Sequence, residues 1–291
     1  MDGIIIIKKE KEYTSHDVVA IVKKTLGEKV GHTGTLDPNA TGVLPLLIGK
    51  GTKLSKYLIN HDKTYEVTLK LGEKTNTADS EGKVIEEKKV NESCFVKENL
   101  ERVLQFFVGK QEQIPPMYSA IKVKGKKLYE YAREGKTVEI KPRKIEIYKI
   151  ELIKIDKKER LIVFRVDCSK GTYIRSLCEN IAEKLGTVGY MKELNRTRVG
   201  QFRIENSITL EELKQNKDEE EYIKQYIITL EDLLKEKKKI QLNTKQKELF
   251  LNGVVLSFDE LDGIYRIYTQ KNTFLGTGTI KEKRLKRDVI I

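Results

Sequence analysis

The chain has 291 residues, and its 38% hydrophobic content is lean but enough for a core, while 34% charged residues predict a heavily solvated globular surface. The 56 Lys and Arg outnumber the 44 Asp and Glu, a net charge of +12 that favours an anionic partner, although lysine used for solubility gives the same balance. Cys94, Cys168 and Cys178 form no C-x-x-C pair and His16, His32 and His61 have no i, i+4 spacing, so neither a disulfide framework nor a metal site is expected.

The opening Met-Asp-Gly-Ile-Ile-Ile-Ile lacks the basic flank and cleavage site of a signal peptide. No run approaches the ~20 apolar residues of a membrane span, so a cytoplasmic location is expected. Ile4 to Ile7 predicts a short buried strand. A helix follows from about Ser15 to Leu26, capped by Thr14 or Ser15, with Val18, Val19, Val22 and Leu26 as its apolar stripe and Gly27 as its stop. The segment Gly31 to Gly42 is a polar loop. From Lys63 to Gly72 the alternation of Tyr65, Val67, Leu69 and Leu71 predicts a half-buried strand. Helices are predicted at Val96 to Phe107, at Leu128 to Arg133 with Gly135 as stop, and at Tyr173 to Leu185 with Gly186 as stop. Alternating strands lie between them at Ile145 to Ile155 and Leu161 to Val166. Strands paired across long gaps with helices packed outside predict an α+β domain. Past Phe202 the pattern changes to two charged helical segments reaching about Lys239, opened by the capping-box spacing Thr209 to Glu212. Short β-like runs at Val254 to Phe258, Ile264 to Tyr268 and Phe274 to Gly278 predict a small separate β unit. The expected division is 1–236 and 237–291.

The loop Gly31-His32-Thr33-Gly34-Thr35-Leu36-Asp37-Pro38-Asn39-Ala40-Thr41-Gly42 holds one carboxylate among three glycines and three threonines. Glycine permits tight backbone paths and proline fixes φ after the acid, so such a loop can present an aspartate rigidly. On its residues alone the commoner reading is an Asx turn, in which Asp37 bonds only its own backbone, since Asp-Pro is a common turn starter. A phosphate-binding P-loop is excluded: Gly49-Lys50-Gly51-Thr52 has Leu44 where that rule needs glycine and Gly51 where it needs Ser or Thr.

Gly31 to Gly42, with Val43-Leu44-Pro45 after it, resembles the active-site loop of TruB-like pseudouridine synthases. The resemblance continues in order at Lys63-Thr64-Tyr65, Leu71-Gly72, Thr77-Ala78-Asp79 with Gly82, Tyr118 to Val123 with Gly125, Tyr131-Ala132-Arg133 with Gly135, and Ser169 to Leu177. The last segment resembles a PUA domain, a small RNA-binding barrel. The implied fold is a mixed, largely antiparallel sheet core with flanking helices plus a small C-terminal β-barrel. One departure stands out: family members open with K-P-x-G-x-T-S, whereas this chain has Lys9-Glu10-Lys11-Glu12-Tyr13-Thr14-Ser15, with Glu10 and Glu12 replacing Pro and Gly. Altered packing or RNA contact is expected there rather than lost chemistry.

The resemblance implies isomerisation of uridine 55 in the T-loop of tRNA, with no cofactor, no metal and no obligatory protein partner, by a monomer. It makes Asp37 the catalytic carboxylate, Arg175 the guanidinium that pairs with it, and Tyr65 a stacking ring that can assist proton removal at C5. Tyr173 and Leu194 line the uridine pocket, and His32 takes the space that the flipped base vacates. Read without the family, Tyr65 is more often a core tyrosine and His32 and Arg175 more often surface residues, while Tyr173 and Leu194 are equally plain core. The attack is either covalent at C1′ or by way of a glycal, and both remain open. Basic clusters at Lys122, Lys124, Lys126 and Lys127, at Lys141, Arg143 and Lys144, and at Lys281, Lys283, Arg284, Lys286 and Arg287 suit a phosphate backbone. A tRNA chaperone and a guide-RNA-dependent enzyme with partner proteins are the alternatives on the same fold.

Overall fold

The computed structural model describes residues 1–58 and 61–291. Its main sheet is ten-stranded, and the principal path runs Ile227–Ile228, Gly3–Lys9, Thr41–Ile48, Gly189–Val199, Lys63–Leu71, Leu161–Cys168, Arg143–Asp156 and Gly109–Gln113. Every pairing on the path is antiparallel except that between Thr41–Ile48 and Gly189–Val199. That parallel seam rests on two residue pairs, Asn195 with Thr41 and Arg196 with Gly42. The mixed sheet with flanking helices is the α+β architecture that the sequence predicts.

Each half of the sheet has its own core. In the larger half Tyr65, Val67, Leu69 and Leu71 face one side of their strand and are buried, as their alternation predicts. They pack against Leu100, Val103 and Leu104 of the helix Lys97–Phe106 and against Ile174, Leu177, Cys178 and Ile181 of the helix Ile174–Lys184. Both helices carry apolar residues at the i, i+3, i+4, i+7 spacing of a one-sided helix. In the smaller half the four isoleucines are buried because both faces of their strand are covered. Ile5 and Ile7 meet Val18 and Val22 of the helix Ser15–Leu26, and Ile4 and Ile6 meet Val43, Leu47 and Phe202. That helix has a Thr14–Asp17 capping box and ends at Gly27, whose φ of 67° is left-handed.

The segment after Phe202 differs from the two helices expected. It breaks into the short helices Leu210–Gln215, Glu220–Lys224 and Leu230–Leu233, and Ile227–Ile228 joins the main sheet. A five-stranded sheet then runs in the order Lys239–Leu242, Gly263–Thr269, Phe274–Lys281, Arg284–Ile290, Leu256–Ser257. Its core contains Ile240, Phe250, Ile267, Ile280 and Leu285. Strand begins at Lys239, where helix was expected, and only Leu256–Ser257 of the Val254 to Phe258 run pairs. The small sheet leans on the main body through Leu54, Leu230, Leu234 and Val289, and Tyr57 bonds Asp288 and Thr277 beside them.

Candidate active site

Irregular backbone inside a protein must find partners for its carbonyls, and the loop before Thr41 finds them on three buried polar side chains. Arg196, 2% exposed at the parallel seam, donates to the carbonyls of Gly34 (3.1 Å), Thr35 (3.3 Å) and Val43 (2.9 Å). Ser15, at the start of the first helix, donates to the Leu36 carbonyl at 3.1 Å and accepts from the Leu36 N–H at 2.9 Å. Lys9 is wholly buried, and its ammonium donates to the carbonyls of Glu10 (2.8 Å), Tyr13 (2.7 Å) and Pro38 (3.0 Å). Burial pushes the Lys9 ammonium down to about 8, partly offset by the negative charge of Asp37. Gly42 is required where the loop enters its strand: φ is 108°, and a Cβ there would stand 2.2 Å from the Arg196 carbonyl oxygen. Gly34, Thr35, Leu36 and Asp37 of this loop line the cleft, and Asp37 brings the carboxylate.

Arg175 meets Asp37 from the other side. Its guanidinium is 3.1 Å from Asp37 Oδ2 and 3.3 Å from Asp79 Oδ2, and it donates to the carbonyls of Tyr118 (2.9 Å) and Thr77 (3.2 Å). Asp37 keeps 37% of its side chain exposed whereas Asp79 keeps 4%, so one carboxylate faces the cleft and the other anchors the arginine. Asp79 is itself fixed by Thr77 Oγ1 at 2.6 Å and the Glu81 N–H at 3.1 Å. The helix bearing Arg175 is aimed by Gln113, whose side-chain amide exchanges two hydrogen bonds with the Tyr173 backbone at 2.8 and 3.0 Å.

Between these groups lies a cleft of about 490 Å³, a size that accepts a nucleotide. Asp37, Tyr65, Arg175, Tyr173 and Leu194 all line it, together with Lys63, Met191, Arg196, Tyr118 and Tyr129. Asp37 is its one carboxylate among the described residues. Tyr65 is 8% exposed, and burial raises its phenol to about 12, so it stands neutral near pH 7. Tyr118 and Tyr129 come from the segment between the strands Gly109–Gln113 and Arg143–Asp156. That segment folds as a hairpin, Lys122–Val123 with Lys126–Lys127, followed by the helix Leu128–Arg133. Its turn residues Lys124 (φ 50°) and Gly125 (φ 83°) are both left-handed, as a tight hairpin requires. Lys127 and Arg133 stand over the Tyr129 ring, which places cations beside aromatic faces at the rim.

His32 is not among the lining residues. It ends the short strand Val30–His32, its ring meets His16 edge-on at 5.3 Å, and its Nδ1 is buried without a partner. Burial, followed by the His16 charge, lowers its pKa. Glu10 and Glu12 are exposed, and Glu12 has φ of 72°, the left-handed conformation that suits the glycine of the family pattern. Arg196 and Gln113 escape sequence reading, since a buried arginine breaks the apolar alternation that marks a strand.

Residues 22–174 match the family model of TruB family pseudouridylate synthase (N terminal domain), and residues 175–235 match that of the tRNA pseudouridylate synthase B C-terminal domain. Both describe isomerases that remake a uridine within RNA. A relative from Caldanaerobacter subterraneus subsp. tengcongensis, named tRNA pseudouridine synthase B, is 42% identical over 289 residues and 98% of each chain. Its namesake from Clostridium tetani is 45% identical over 96% of this chain and 95% of its own. Among solved structures, a Cbf5-Nop10-Gar1 complex is 28% identical with a TM-score of 0.69, and an H/ACA RNP bound to a substrate RNA containing 2′-deoxyuridine is 27% identical with a TM-score of 0.70. Each match covers 99% of this chain and 83% of the other. The chain belongs to the TruB family of pseudouridylate synthases, and it is an isomerase.

Proposed function

We propose that this enzyme converts uridine 55 in the T-loop of tRNA to pseudouridine, with Asp37 as the catalytic carboxylate. The observation that carries the reading is the single open carboxylate of the cleft, held 3.1 Å from a buried arginine. The tRNA substrate is supported by the names of the relatives and by the net charge of +12.

The target base lies inside a folded loop and must be flipped out, at a cost of roughly a few kcal/mol. Inside the cleft the N1–C1′ bond breaks, the uracil turns, a C5–C1′ bond forms, and the C5 proton leaves while N1 gains one. In the covalent route Asp37 Oδ bonds C1′ as N1 departs. In the glycal route Asp37 removes the C2′ proton and the electrons form C1′=C2′. Arg175 keeps the carboxylate aimed by holding it against the Asp79 anchor. Tyr65 supplies a stacking face. Ionising its phenol at pH 7 would cost roughly 7 kcal/mol, which argues against a resting phenolate as the C5 base. Tyr173 and Leu194 shape the pocket around the ring. The units 1–236 and 237–291 then divide the labour, catalysis in the first and PUA-like RNA binding in the second. Action as a monomer without an obligatory protein partner is part of this reading and rests on the family resemblance.

Pseudouridine mapping of an unmodified tRNA transcript tests the reading, with Asp37→Asn alongside. The expected result is one new pseudouridine in the T-loop that the variant does not make. Modification elsewhere would overturn the substrate, and tight binding with no product from either protein would favour a chaperone.

A further inference from the structure

Among the described residues the cleft contains three cations, and two of them are spent. Arg175 is matched by two carboxylates and two carbonyls. Arg196 is committed to three loop carbonyls. Lys63 is different: its ammonium donates one hydrogen bond, to the His61 carbonyl at 2.5 Å, and no carboxylate of the described residues pairs with it. Lys63 opens the strand Lys63–Leu71 two residues before Tyr65, so both side chains leave the same face, roughly 7 Å apart along the strand. Both line the cleft. The ammonium is half-buried, and burial followed by the charge of Arg196 makes its protonated form less favourable there than in water. A half-buried cation with donors to spare, beside the ring on which a base would stack, is a site for a developing anion.

The chemistry supplies one. Whichever route Asp37 follows, the electron pair of the N1–C1′ bond goes to the uracil, which leaves as an anion delocalised over N1, O2 and O4. The carboxylate that starts the reaction cannot stabilise that charge. We propose that Lys63 is a catalytic residue that stabilises the departing uracil anion by donating to one of its carbonyl oxygens, O2 or O4. The inference rests on the proposed reading of Asp37 as the reacting carboxylate, and it does not depend on whether the covalent or the glycal route operates.

The test uses single-turnover kinetics on a T-stem-loop RNA with either uridine or 5-fluorouridine at the target, reading loss of the starting nucleoside. Fluorine withdraws electrons and steadies the uracil anion by itself, so its cleavage needs less help. Lys63→Met should slow uridine consumption about a hundredfold or more with RNA affinity unchanged, as loss of one preorganised donor does elsewhere. The same variant should lose less than about tenfold on 5-fluorouridine, because less charge is left to stabilise in the transition state. Lys63→Arg should restore most of the uridine rate. Equal losses on the two substrates, an unchanged rate, or a loss seen as weaker, less salt-sensitive RNA binding would overturn the proposal, the last making Lys63 a phosphate anchor. If Lys63→Met does not fold, Lys63→Ala carries the same comparison. Asp37→Asn should consume neither substrate, and turnover by that variant would sink the reading of the site itself, a different failure from wild-type rates in Lys63→Met.

Discussion

Replacing Arg175 with Met removes a guanidinium from between two carboxylates and leaves a side chain of similar length. Breaking a buried ion pair by deleting one partner costs about 3–5 kcal/mol, chiefly through the charge left without compensation. The two carboxylates do not share that cost equally. Asp79 keeps 4% of its side chain exposed and cannot reach water, whereas Asp37, at 37%, can turn into the cleft, where solvent screens it. Asp79→Asn in the Arg175→Met background should therefore recover about 2–3 kcal/mol, and Asp37→Asn there less than about 1 kcal/mol. Urea unfolding of the single and double variants gives both coupling energies. The double variant Arg175→Met with Asp79→Asn should remain slow in pseudouridine formation despite its recovered stability, since nothing then aims Asp37, while RNA affinity stays near wild type. Equal recovery by the two Asn substitutions, or none by Asp79→Asn, would refute the anchor role given to Asp79. Matched losses in turnover and affinity would make Arg175 an RNA contact instead.

Lys9 predicts a pH dependence. Its folded value near 8 lies below the ordinary 10.5, so between those values the unfolded chain binds more protons and stability rises with pH. The difference in unfolding free energy between wild type and Lys9→Met should grow by about 2–4 kcal/mol from pH 8 to pH 10.5, and a flat difference would mean that the ammonium pays no burial penalty. Glu12→Gly should stabilise the protein by up to about 1 kcal/mol in urea unfolding, because relief of the left-handed strain exceeds the added chain entropy. A destabilised Glu12→Gly would mean that the exposed glutamate makes a compensating contact.

Where one face of an element is buried and the other wet, the sequence is legible. The strand Lys63–Leu71 and the helices Lys97–Phe106 and Ile174–Lys184 fall within about two residues of their expected bounds, since their cores impose clean periods of two and 3.6. The two strands that meet at the seam are not legible. Thr41–Ile48 has Pro45 at its centre, and proline argues against a central strand. Here one edge pairs through Gly42 and resumes at Leu46, so Pro45 falls in the interval between. Gly189–Val199 has register shifts between Met191 and Glu193 and between Arg196 and Arg198, and it buries a charged Arg196. Both features destroy its alternation. The Asp37 loop was legible only as a motif, because its conformation depends on Lys9, Ser15 and Arg196, which reach it from distant parts of the chain.

These difficulties share one physical origin. A regular sheet satisfies its own backbone and has no room for an exposed carboxylate backed by arginine. Two half-sheets, each with its own packed core, can meet through two residue pairs and leave the backbone between them irregular without losing the fold. The carbonyls exposed by that irregularity require cationic or hydroxyl donors, and Arg196, Ser15 and Lys9 provide them. Because those donors are buried and fully occupied, they fix the loop and leave Asp37 as the group free to react, with Arg175 and its Asp79 anchor closing the other side. The seam is thus where the sequence pattern fails and where the chemistry becomes possible, for the same reason: both follow from polar groups held inside the protein by partners far away in the chain.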